Sequence, residues 1–130
     1  MFSLFRKLFL FVAVALSGSV FAMSIAGQTY TQVEFDSLQK AGKPTLVMVH
    51  ADWCPTCRAQ DPLLLDLLQT PSLKAITALS VDFDTQKDVL RSFHVSKQST
   101  LIIFKDGKEV ARSTGDTNKD SLAALLKKAL

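Results

Sequence analysis

Cys54 and Cys57 are the only two cysteines in the 130-residue chain, set in the stretch Asp52-Trp53-Cys54-Pro55-Thr56-Cys57. A disulfide closing so short a loop constrains the unfolded chain little, so it adds little stability. The pair is a poor staple and points to reactivity. Two thiols at this spacing can exchange disulfides or supply half of a metal site.

The elements around the pair decide how that chemistry would be positioned. Thr45 to His50 is a continuous β-rich apolar run, the pattern of a central strand covered on both faces. The cysteines follow it at once and open a helix through about Leu68, with a kink expected at Pro62 and an apolar side of Leu63, Leu64, Leu67 and Leu68. Cys54 then lies at a helix amino end, where free N–H groups and the helix dipole favour negative charge and a thiolate is stabilised. Cys57, one turn on, can reach the Cys54 sulfur and is expected to be the less exposed of the two. That asymmetry implies an order: Cys54 attacks a substrate disulfide, and Cys57 then attacks Cys54 and releases the substrate.

Upstream, residues 23–29 are small and polar and read as a mobile lead-in. Thr31 can cap a helix over about Gln32 to Ala41, with Val33, Phe35 and Leu38 facing inward and Gly42-Lys43-Pro44 ending it. Downstream, Thr70-Pro71-Ser72 breaks the chain before a second buried strand at about Ile76 to Phe83 and a short helix at Thr85 to Phe93. After a loop at Val95 to Ser99, Thr100 to Phe104 forms a third strand. Lys105-Asp106-Gly107-Lys108 is a tight hairpin turn, since Asp-Gly suits positive φ. Glu109 to Arg112 pairs back as an edge strand, and Asn118 to Leu130 is a last helix with a Leu122, Leu125 and Leu126 stripe. The pattern predicts one α/β domain, a central mixed β-sheet flanked by helices on both faces.

With these residues in place, the chain resembles the thioredoxin family from about Val33 to Leu130. Pro44, Ala51, Trp53, the Cys54/Cys57 pair, Pro62, Asp84, the Phe104 to Lys108 hairpin and Gly115 all fall where thioredoxins have them. The resemblance implies the thioredoxin fold and thiol–disulfide exchange without a cofactor. It implies Cys54 as nucleophile, Cys57 as resolving thiol, and Trp53 as an aromatic wall beside them. Pro55, Thr56, Ser99 and Thr100 complete the expected surroundings.

Three positions depart from the family pattern. Ser99 stands where thioredoxins carry a cis-proline. A non-proline cis bond costs roughly 2.5–4 kcal/mol, so Ser99 is expected to be trans or locally rearranged. Its hydroxyl and N–H would face the sulfurs, stabilising a thiolate or admitting a metal, and Ser99→Pro is expected to restore the cis bond. Met48 replaces the buried strand aspartate, and Ser80 its lysine partner. Pro55-Thr56 replaces Gly-Pro between the cysteines.

A metal-binding or metal-delivery module of the same fold is the alternative reading. His50 and His94 complete a Cys₂His₂ count, but their positions in the chain do not suit the pair, and no metal or other cofactor is expected. His50, just before the motif, is a candidate for tuning the thiols.

Met1 to Ala22 has the order of a secretory signal peptide: Arg6 and Lys7, an apolar run from Leu8 to Leu16, then small residues. The run is well short of the roughly 20 residues a spanning helix needs. Cleavage after Ala22 is expected, with Ala26 a weaker choice and a retained anchor the alternative. The domain then covers residues 23–130 in the periplasm or outside the cell, where dithiols can be oxidised. Two of the 15 basic residues leave with the leader, and the rest nearly balance the 12 acidic ones. No basic cluster remains to suggest nucleic acid. The implied partners are cysteine-containing exported proteins and a redox protein that resets the pair, met by a monomer.

Overall fold

The computed structural model describes residues 27–130; the leader and its cleavage sites lie outside the described residues. The elements run β1 (Gln28–Thr29), α1 (Gln32–Lys40), β2 (Thr45–His50), α2 (Pro55–Leu68), β3 (Thr77–Asp82), α3 (Lys87–Ser92), β4 (Thr100–Lys105), β5 (Lys108–Thr114) and α4 (Lys119–Lys127). The five strands form one mixed sheet in the order β1-β3-β2-β4-β5. β1, β3 and β2 are parallel, and β4 runs antiparallel to both β2 and β5.

The apolar run of β2 takes the middle of the sheet, and its alternate residues feed two cores. Leu46 and Met48 face Leu64 and Leu67 of α2 and Leu122, Leu125 and Leu126 of α4. Val47 and Val49 face Leu38 of α1 and Leu90 of α3, beside Tyr30, Ile102 and Phe104. Phe35 and Phe93 cross edge-on at 5.3 Å, and Phe35 meets Phe104 at 5.0 Å. Sheet residues covered on both faces explain why the strand sequence is continuously apolar.

Local signals set the boundaries. The Thr31 hydroxyl accepts the Glu34 N–H at 3.1 Å and starts α1. Asp106 at φ 51° and Gly107 at φ 77° make the left-handed two-residue turn of the β4–β5 hairpin. α2 continues through Pro62, which has no N–H to offer the Arg58 carbonyl.

Four expectations change. Gln28 and Thr29, read as part of a mobile lead-in, pair with Leu79 and Ser80, and Tyr30 donates its N–H to the Ser80 carbonyl at 2.8 Å. Gly27 admits this close approach; a Cβ there would lie 2.9 Å from the Ala78 carbonyl oxygen. Val33 is 82% exposed rather than inward, because it lies about 200° around the helix from Phe35. β5 runs on to Thr114, paired to Thr100, and α4 stops at Lys127.

Candidate active site

The site is built where β2 ends. After His50 the chain turns, and the Cys54 N–H donates to the Ala51 carbonyl at 3.0 Å. Cys54 is the N-cap of α2 with extended backbone, and Pro55 follows where a missing N–H costs nothing. A side chain at this position accepts from the first helical amides. Here the acceptor is sulfur: the Cys57 N–H donates to Cys54 Sγ at 3.1 Å. Both cysteines are free thiols and both are 2% exposed, so the expected difference in exposure is absent. The Ser99 loop comes from a distant part of the chain, and such covering is invisible in local sequence.

What separates the thiols is their hydrogen bonding. Burial pushes the Cys54 thiol up, but hydrogen bonds from Cys57, from the Ser99 hydroxyl and from the Cys57 and Thr56 amides outweigh it and bring it below its ordinary value. Burial pushes the Cys57 thiol up as well, and there it wins, with the neighbouring Cys54 adding to the rise. Cys57 Sγ points to the Val49 carbonyl at 3.9 Å. One sulfur is prepared for negative charge and the other for holding its proton.

Ser99 stands between them. Its Oγ lies 3.2 Å from Cys54 Sγ and 3.1 Å from Cys57 Sγ. A hydroxyl has one proton to give, and the sulfur prepared for negative charge, Cys54, is the acceptor that gains most from it. No peptide bond among the described residues is cis, and Ser99 adopts φ 62°, a left-handed conformation costly for a side chain. Three backbone contacts hold it there. The Ser99 N–H donates to the Val49 carbonyl at 2.8 Å, and its own carbonyl accepts from the Gly115 N–H at 3.0 Å and from Gln60 Nε2 at 3.4 Å.

The remaining predicted residues divide by what they touch. Trp53 is 55% exposed beside the pair, its indole N–H donating to Asp84 Oδ2 at 2.8 Å and its ring edge-on to Phe83. Pro55 is exposed and Thr56 half-buried. Thr100 does not reach the sulfurs: its hydroxyl donates to the Lys97 carbonyl at 2.7 Å and meets Thr114 Oγ1, tying the loop before β4 to β5. His94 is exposed on that loop, its carbonyl facing Arg112. Among the described residues no group of three or more His, Cys, Asp or Glu is disposed to hold a metal.

Met48 and Ser80 are register partners in β2 and β3, so the departures from the family pattern at these positions sit side by side. Sequence reasoning missed two buried polar residues of α2. Gln60 links the Ser99 carbonyl to the Asp116 carbonyl, the latter at 2.7 Å. Asp61, 4% exposed, lies with Oδ2 3.6 Å from His50 Nδ1. Their signal was a polar pair one turn beyond Cys57, on a helix whose other inward residues are apolar.

The thioredoxin family model matches residues 27–128. The chain belongs to the thioredoxin family. It is 42% identical to the thioredoxin of Chlamydia trachomatis over 83 residues, 64% of this chain and 79% of that protein. It is 38% identical over 82 residues to the thioredoxin of Mycobacterium tuberculosis, 63% of this chain and 70% of that one. Among solved structures, Trxlp from Edwardsiella tarda superposes with a TM-score of 0.74 at 43% identity, covering 75% of this chain and 95% of that one. The expected thioredoxin fold is therefore present, and the chain is a disulfide oxidoreductase by family.

Proposed function

We propose that this protein is an exported thiol–disulfide oxidoreductase acting on cysteine-containing exported proteins, with Cys54 as nucleophile and Cys57 as resolving thiol. The observation that carries the reading is the Cys54 sulfur at the start of α2, held by the Cys57 N–H and the Ser99 hydroxyl. The Cys54 thiolate attacks one sulfur of a substrate disulfide and displaces the other as a thiolate, leaving a mixed disulfide. Cys57 loses its proton and attacks Cys54 Sγ. A Cys54–Cys57 disulfide forms, and the second substrate sulfur leaves as a thiolate. Run in reverse, the same steps oxidise a substrate dithiol.

Exposed Trp53 beside the pair offers an apolar face to the substrate chain, fixed by its bond to Asp84. Ser99 supports the reduced pair by bonding to thiol and thiolate, which moves the couple toward accepting electrons relative to the same chain without the hydroxyl. The leader-like order of residues 1–22 supports export.

Turnover of a model protein disulfide by the purified protein, lost in Cys54→Ser, is the expected result. Turnover that survives Cys54→Ser would overturn the assignment. For export, cell fractionation and amino-terminal sequencing should find the protein outside the cytoplasm and starting at Met23. A cytoplasmic protein starting at Met1 would contradict it.

A further inference from the structure

The resolving step needs a proton acceptor, because Cys57 is buried and holds its proton. Met48 and Ser80, side by side on β2 and β3, carry no group that could take it. One turn beyond Cys57 on the same face of α2 is Asp61, a carboxyl buried without a hydrogen bond from α2 itself. His50 Nδ1 is 3.6 Å from Asp61 Oδ2, and His50 Nε2 is 3.2 Å from Asp52 Oδ1. Asp52 is fully exposed and His50 is half-buried. The three side chains thus form a line from the buried flank of the Cys57 turn to solvent.

We propose that Asp61 and His50 are the proton-relay pair of the resolving step, taking the Cys57 proton through an intervening water and passing it by way of Asp52 to solvent. The inference rests on the exchange reading above and adds to it the residues that set the rate of its second half. The Cys57 S–H bond breaks, the proton goes to the Asp61 carboxylate, and the freed electron pair forms the Cys57–Cys54 bond. The substrate thiolate leaves and is reprotonated by solvent. In the reverse direction Asp61 returns the proton to Cys57.

The surroundings suit this task. Burial holds the Asp61 carboxyl above its ordinary range, with His50 opposing and Asp52 adding to the rise, so the group is a stronger base than a surface aspartate. Asp61 is faced by His50 from β2 and Asp52 from the following turn, and Cys57 lies one turn before it on its own helix. His50 also has Asp82 as its register partner on β3. Among the described residues, His50 is the only side chain within ion-pair distance that can carry positive charge to Asp61.

Rapid mixing of the reduced protein with 5,5′-dithiobis(2-nitrobenzoate) separates the two steps, since attack by Cys54 and resolution by Cys57 each release one coloured thiolate. Asp61→Asn should leave the first phase within about twofold and slow the second about a hundredfold at neutral pH, the low side of what a positioned base contributes. The deficit should shrink as pH rises and hydroxide takes over. Asp61→Glu should recover part of the rate, and His50→Gln should slow the second phase alone. An unchanged second phase in Asp61→Asn and His50→Gln, or a deficit independent of pH, overturns the relay. Release of only one coloured thiolate per wild-type chain would instead sink the exchange reading. Should Asp61→Asn fail to fold, His50→Gln decides the matter.

Discussion

Removing the Ser99 hydroxyl tests how much one atom between two sulfurs contributes. In Ser99→Ala the contacts at 3.2 Å to Cys54 and 3.1 Å to Cys57 disappear, and the backbone bonds of residue 99 have no reason to change. A hydrogen bond to a charged group contributes about 1.5–3 kcal/mol, and sulfur is a soft acceptor, so the low end, about 1.5 kcal/mol, applies. That amount is roughly tenfold in the thiol–thiolate equilibrium of Cys54. For a two-electron couple it is also about 30 mV, in the reducing direction, since the reduced form loses the stabilisation. Iodoacetamide alkylation as a function of pH reads the first quantity, and equilibration with a glutathione series reads the second. The variant's alkylation midpoint should lie about one pH unit higher, so that it reacts more slowly at pH values below the wild-type midpoint and loses no rate at high pH. An alkylation profile and a potential both indistinguishable from wild type would refute the bridging role.

Three further outcomes follow from the site and its supports. Cys57→Ser should accumulate mixed disulfides with protein substrates on non-reducing gels, and Cys54→Ser should not; trapping through Cys57 alone would reverse the assigned roles. Asp61 has a folded-state proton affinity raised by burial first, so the folded chain binds the proton more tightly and stability should fall as pH climbs from about 4 through the raised value. Asp61→Asn should remove that decline in thermal melts, gaining on wild type at neutral pH but not at about pH 3; parallel melting profiles at all pH values would rule this out. Gln60→Leu should cost about 1–3 kcal/mol in denaturant unfolding because the Asp116 carbonyl loses its partner, and a change under about 0.5 kcal/mol would mean the link is replaced at no cost.

Much of the arrangement was legible in the sequence because local and global signals agree. The run Thr45–His50 could only be a strand covered on both sides, and the cysteines had to follow it onto a helix start. Asp106-Gly107 named its own turn. Other features carried no local signal. Gln28 and Thr29 are exposed and polar, and only backbone pairing to β3 makes them a strand. Val33 is apolar, but a helix cannot turn residues 33 and 35 to one side.

The Ser99 substitution was readable, and its geometry was not. Its φ of 62° and its N–H bond to Val49 are both incompatible with proline in that conformation. Ser99→Pro therefore requires the loop to rebuild rather than a simple exchange of one ring for one hydroxyl. The pairing of Gln60 with Asp116 joins segments far apart in the chain, and that of Asp61 with His50 depends on how α2 folds back against the end of β2, so only the folded topology shows either.

The central claim is that Cys54 and Cys57 form a reversible redox couple. Its most direct measurement is the equilibrium of the purified protein across a glutathione series, followed by the fluorescence of Trp53, the single tryptophan, which lies beside the pair. A single reversible two-electron transition in the wild-type protein, absent in both Cys54→Ser and Cys57→Ser, is the predicted result. A chain whose thiols show no reversible transition across that series would contradict the account.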